Sequence, residues 1–213
     1  MTKGCGEVAA VIFDVGKVLY HWEPRLLYER LIDDDRALDA FLRDVVTMDW
    51  HVQHDRGRPF AETSAELIAR HPEHEPLIRL WGERFIDSVQ PAVTGMPELV
   101  RNLHQRGVPL YALTNFSAEF WTPFHAREAA LFAHFRDILV SGAEKLVKPD
   151  PAIYRLALDR FSLSAEETLF IDDREENIAA AEALGIHGHL FRDAPTLRRD
   201  LVARGLLDAI PAL

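Results

Sequence analysis

Five short apolar runs constrain this chain more than any other feature: Val8–Phe13, Val108–Leu113, Asp137–Val140, Thr168–Ile171 and Gly188–Phe191. Longer stretches with helical spacing separate most of them, including Met96–Gln105, Pro151–Phe161, Glu175–Leu184 and Ala194–Arg204. Strand-length runs alternating with helices predict βαβ units and a parallel sheet with helices on its faces. The punctuation agrees. Gly107 and Gly185 follow two of the helices as C-terminal caps do, and Ser164-Ala-Glu-Glu has the form of a capping box.

The stretch from Trp22 to Gln90 is different in kind. It has no strand-like run and carries Leu, Glu, Arg, His and Ala at helical spacing. Three or four helices are expected here, broken near Asp33–Asp35, Gly57–Pro59 and His71–Pro76. The chain therefore divides into residues 1–20 and 91–213, a three-layer Rossmann-like α/β core, and residues 21–90, an inserted all-helical cap. The 213 residues carry a net charge of -10. That balance argues against a nucleic-acid partner, whose phosphates need a basic face. A single cysteine, Cys5, excludes an internal disulfide framework and makes a reducing, cytoplasmic setting the expectation. No apolar run approaches the roughly 18 residues of a membrane span.

In open parallel sheets, ligands bind outside the carboxyl ends of the strands. Asp14 follows the first apolar run, Thr114-Asn115 the second, Lys148 comes shortly after the third, and Asp172-Asp173 follow the fourth. Three carboxylates in one crevice are costly unless a cation neutralises them. Hard oxygen ligands from one or two carboxylates, completed by waters and a phosphate, suit Mg²⁺. A carboxylate can also attack phosphorus, while a hydroxyl, an amide and an ammonium steady the phosphoryl oxygens.

The ordered series Asp14-x-Gly-x-Val-Leu, Leu113-Thr-Asn, Lys148-Pro-Asp-Pro and Phe170-Ile-Asp-Asp with Asn177 resembles the four motifs of the haloacid dehalogenase superfamily. It looks closest to a sugar-phosphate-phosphatase-like branch whose first motif also reads Asp-x-Gly. The helical insert sits where that family carries its C1-type cap. The resemblance implies Asp14 as nucleophile and magnesium ligand, with the Gly16 carbonyl also facing the metal. It implies Thr114 and the Asn115 backbone on the phosphoryl group, and Lys148 pairing with Asp14 and phosphate. Asp173 and Asp172 become metal ligands, oriented by Asn177. One departure stands out. Most phosphatases of the superfamily have a second aspartate two residues after the nucleophile, as general acid and base; here that position is Gly16.

The function expected is a Mg²⁺-dependent phosphomonoesterase acting through an aspartyl phosphate on a small phosphorylated metabolite, a sugar phosphate by resemblance, in a monomer or homodimer. A haloacid dehalogenase using the same aspartate is the alternative enzyme; the Asp172-Asp173 pair favours phosphorus over carbon. A phosphate-binding module that lost turnover is the non-enzymatic alternative. His51 and His54, with Trp50 and Arg56, and likewise His21 and Trp22, are candidates to face substrate. Trp81 and Phe85 read as cap core, and His71 and His74 as surface. Gly16-Lys17 is no P-loop, because Val18 stands where a hydroxyl residue is required.

Overall fold

The computed structural model describes residues 7–209; Cys5 lies outside them. The described residues form seven strands: β1 (Ala10–Phe13), β2 (Tyr20–Trp22), β3 (Val89–Ala92), β4 (Leu110–Thr114), β5 (Asp137–Val140), β6 (Thr168–Asp172) and β7 (His187–Leu190). Five of them make one parallel sheet in the order β5-β4-β1-β6-β7. β1 registers with β4 (Val11 opposite Leu110) on one side and β6 (Ile12 opposite Phe170) on the other. The chain runs outward from β1 to β5, then returns to the far side of β1 with β6. That reversal opens a crevice at the carboxyl end of β1.

The unalternated apolar runs follow from burial on both faces. Val11, Phe13, Leu110, Ala112, Leu169 and Ile171 pack with Leu99, Val100, Leu103, Leu197 and Leu201 on one side. Ala10, Ile12, Tyr111, Leu113 and Phe170 meet Ile153, Tyr154, Ala157, Phe161 and Ala181 on the other. The result is the three-layer α/β arrangement expected. The helices Met96–Gln105, Pro151–Phe161, Glu175–Glu182 and Ala194–Ala203 form these outer layers, and Gly107 and Gly185 carry the positive φ of helix-terminating residues.

Three elements differ from the sequence reading. Ser164 caps no α-helix: its carbonyl accepts from Glu167 N and Thr168 Oγ1 in a single 3-10 turn leading straight into β6. A helix unmarked by the sequence pattern, Ala118–Arg127, contains Pro123 in its middle, where the ring removes a backbone donor and masks the helical signal. β2 and β3 form a separate antiparallel pair at either end of the helical segment. Each is too short to signal itself, and only the pairing makes them strands.

Between β2 and β3 lie five helices rather than the three or four expected, Arg25–Tyr28, Asp35–Asp44, Met48–Asp55, Phe60–Arg70 and Glu75–Arg84, the first a single turn, closed by a 3-10 turn, Phe85–Ser88. Asp34 caps the second by accepting from Ala37 N, and Thr47 caps the third by accepting from Trp50 N. Tyr28, Phe41, Trp50, Trp81 and Phe85 fill the interior, and Phe85 stacks on Phe120 at 4.7 Å and meets Phe116 at 5.3 Å. The segment and one face of the sheet thus share a single apolar cluster. His71 and His74 are partly covered rather than fully exposed, His74 packing against Phe41.

The junction is tight at Gly142, where a Cβ would stand 2.6 Å from Ala118 N, 2.8 Å from Phe116 O and 3.1 Å from His54 O. All three are backbone atoms with no side chain to swing away. Gly142→Ala should therefore destabilise the protein by about 1–3 kcal/mol, the usual cost of overpacking, as read from urea denaturation. A midpoint equal to that of the wild type would show that the helical segment is not docked this closely.

Candidate active site

Asp14 leaves the end of β1 with its Oδ1 accepting from Val15 N at 2.7 Å. Lys148 Nζ stands 2.9 Å from that oxygen and 2.6 Å from Asp172 Oδ2 at the end of β6. Lys148 is 4% exposed and Asp172 0%. Such burial costs several kcal/mol per charge unless partners offset it, and the partners are present. Asn177 Nδ2 donates to both Asp172 oxygens at 2.9 and 3.0 Å, and Arg174 N donates to Asp172 Oδ1 at 2.9 Å. Tyr154 OH fixes the Asn177 backbone carbonyl at 3.0 Å. Asn115 holds Lys148 by a reciprocal pair, its Oδ1 accepting from Lys148 N at 2.8 Å and its Nδ2 donating to Lys148 O at 3.0 Å.

The charges set one another's titration. Burial pushes the Asp14 carboxyl up to about 7, with Lys148 opposing and the Asp172 charge adding. Burial works against the Lys148 ammonium, but the two carboxylates outweigh it and hold its pKa above the ordinary lysine value. Asp173 is raised by burial and by Asp172, against Lys148 and Lys17. One ammonium among three carboxylates leaves the site short of positive charge. Asp14, Asp172 and Asp173 each offer an oxygen, all within 4.8 Å of one another. Clustered carboxylate oxygens suit a hard divalent cation, and the donor set fits Mg²⁺ on that ground.

Above this floor opens a cavity of about 290 Å³, lined by Asp14, Gly16, Lys17, Asn115, Asp173 and Arg174 below. Its upper wall is Trp22, Met48, His51, Val52, Asp55, Phe85, Val89 and Phe116. Lys17 reaches it from a left-handed backbone conformation (φ 60°), with its N–H donating to Tyr20 O at 2.7 Å. For a non-glycine residue that conformation costs about 1–2 kcal/mol.

The fold gathers Asp14, Gly16, Thr114, Asn115, Lys148, Asp172, Asp173 and Asn177 at one end of the sheet. Thr114 is buried at the last position of β4, and the Asn115 side chain is committed to Lys148. Of the further candidates, Trp22 and His51 face the cavity. Trp50 and His54 do not: both are buried, Trp50 donating to Thr63 O and His54 bonding Thr63 Oγ1 at 2.6 Å. Arg56 and His21 are exposed. Phe85, read as interior, also borders the cavity. Asp55, Met48 and Val52 went unmarked; they share the helix of His51, and the helical spacing of His51 and Asp55 was the one available signal.

The profile of the haloacid dehalogenase-like hydrolases matches residues 8–185. A sesquiterpene phosphatase of Aspergillus oryzae is 29% identical over 89% of this chain and 93% of its own length. Mouse acyl-CoA dehydrogenase family member 10 is 32% identical over 84% of this chain, which spans 17% of that protein. A HAD family enzyme of Bacteroides thetaiotaomicron, solved as a magnesium complex, superposes with a TM-score of 0.68 over 88% of this chain and 94% of its own, at 19% identity. Matched across most of its length, and with phosphoester hydrolysis among its relatives, the chain belongs to the haloacid dehalogenase-like hydrolase family.

Proposed function

We propose that the protein is a Mg²⁺-dependent phosphomonoesterase with Asp14 as nucleophile, residues 21–90 serving as the cap. The observation that carries this is the buried Asp14–Lys148–Asp172 array beside Asp173 at the cavity floor. A dehalogenase attacking carbon has no use for so concentrated a set of metal-seeking oxygens, whereas phosphoryl transfer does.

Asp14, Asp172 and Asp173 would hold the ion, which when bound offsets phosphoryl charge and orients the ester. Lys148 is fixed between the two carboxylates and supplies the permanent positive charge facing Asp14. The Asn115 side chain sets the height of Lys148. Asp14 Oδ attacks phosphorus, the bond to the leaving oxygen breaks, and an aspartyl phosphate forms for water to cleave. Thr114 and the Asn115 backbone border the phosphoryl position.

The leaving group in this reading is apolar. Trp22, Met48, Val52, Phe85, Val89 and Phe116 offer a sugar few hydrogen bonds, but they suit a hydrocarbon chain, each buried methylene of which stabilises binding by about 0.8 kcal/mol. The sesquiterpene phosphatase among the relatives supports the same class over the sugar phosphate first expected. A small, unanchored substrate goes with the cytoplasmic setting expected from the sequence.

Two measurements test this. p-Nitrophenyl phosphate should be hydrolysed with Mg²⁺, lose turnover on chelation, and fall to background in Asp14→Asn; metal-independent turnover, or turnover surviving in that variant, would overturn the nucleophile assignment. Geranyl phosphate should exceed glucose 6-phosphate in kcat/KM by ~10²-fold or more, as hydrophobic discrimination summed over several methylenes allows. The reverse order would return the cavity to sugars.

A further inference from the structure

An unactivated alcohol cannot leave phosphorus as an alkoxide without a proton, and Gly16 has no side chain to provide one. The space beside it is open: a Cβ built there meets nothing within 4 Å. Among the described residues that line the cavity with Gly16, Asp55 is the carboxyl group contributed by the helical segment. Asp55 ends the helix Met48–Asp55 and borders the cavity that Asp14 and Gly16 also line. It is 6% exposed, and its Oδ1 is buried with no hydrogen-bond partner. A buried carboxyl oxygen left unpaired is costly, and the residue that carries it lines the same cavity as Asp14. The backbone at Asp55 is pinned to the core, its carbonyl accepting from Ser141 Oγ at 2.7 Å.

We propose that Asp55 is the general acid and base of this enzyme, delivered by the cap in place of the carboxylate absent at Gly16. The inference rests on the phosphatase reading above. As Asp14 Oδ bonds to phosphorus and the ester P–O bond breaks, the electron pair goes to the leaving oxygen. That oxygen takes the Asp55 proton and departs as the alcohol. Asp55, now a carboxylate, takes a proton from the water that attacks the aspartyl phosphate, so inorganic phosphate leaves and both aspartates return to their starting states.

The surroundings favour the protonated starting form. Burial and the Asp14 charge raise the Asp55 carboxyl to about 8, against Lys148 and the Ser117 N–H. His51 Nε2 stands 3.6 Å from Asp55 Oδ2, a separation that would suit an ion pair. Burial and the neighbouring His54 push the His51 imidazole down to about 3, however. Both shifts favour the uncharged form of each partner, with the proton on Asp55. His51 is walled by Trp22 at 4.7 Å and Trp81 at 5.4 Å, which keeps water from this side of Asp55.

The test compares leaving groups. Asp55→Asn should lose ~10²–10⁴-fold in the single-turnover rate of alcohol release from hexyl phosphate, the usual contribution of a positioned acid. Single-turnover release of p-nitrophenol, a leaving group that needs no proton, should fall less than tenfold; the later dephosphorylation step, where Asp55 acts as base, slows equally for both esters. Parallel losses in single-turnover release from both esters, or no loss with hexyl phosphate, would overturn the proposal. Should Asp55→Asn not fold, the wild type decides: kcat/KM across aryl and alkyl phosphates should depend only weakly on leaving-group basicity, and a steep dependence would overturn the assignment. Gly16→Asp in the Asp55→Asn background should restore hexyl phosphate turnover at least tenfold. Wild-type p-nitrophenyl phosphate hydrolysis, lost in Asp14→Asn, reports the phosphatase itself and fails separately from Asp55.

Discussion

A lysine ammonium enclosed between two carboxylates at the end of the central strands governs much of the architecture around it. Lys148, Asp14 and Asp172 are each buried, and removing Lys148 would leave two uncompensated carboxylates in a poorly solvated place. Their separations of 2.6 and 2.9 Å require β1 and β6 to end at the same level and the loop after β5 to reach back over them. The hydrogen bonds around the array serve that geometry. Asn177 satisfies both oxygens of Asp172, Tyr154 fixes Asn177, and Asn115 clamps the backbone of Lys148. Even so, negative charge exceeds positive, an imbalance that a divalent cation would offset.

The second organising element is aromatic. Trp22, Trp81, Phe85, Phe116, Phe120 and Phe124 form a seam that joins the helical segment to one face of the sheet. Its edge is the upper wall of the cavity. Apolar walls exclude water and strengthen each electrostatic interaction beneath them. Burial among them raises the Asp55 carboxyl and lowers the His51 imidazole toward its neutral form, as expected of groups withdrawn from water.

Legibility in the sequence divided along a physical line. The three central strands of the parallel sheet could be read because burial on both faces writes each as an apolar run. Asp14, Lys148 and the Asp172-Asp173 pair could be read because a parallel sheet delivers its strand ends to one place. β2 and β3 could not, since three or four residues acquire strand character only from a partner distant in the chain. Pro123 hid the helix Ala118–Arg127, and Ser164 offered the letters of a capping box where only one 3-10 turn follows. The cap histidines show the same limit: His51 and His54 share a helix with similar spacing and chemistry, yet only His51 faces the cavity.

By itself, the sequence determined the layer order, the insertion of a helical block after the first strand, and the set of charged side chains gathered at the carboxyl ends of the strands. Those are consequences of local periodicity and of the topology that periodicity allows. Tertiary structure alone decided that much of the cavity wall is apolar, that Lys17 lines it from a left-handed backbone conformation, and that Asp55 shares that cavity with Asp14 and Gly16. Each depends on how the helical block docks against the sheet, through backbone contacts at Gly142 and aromatic contacts at Phe85, and no periodicity within either part encodes a packing between them.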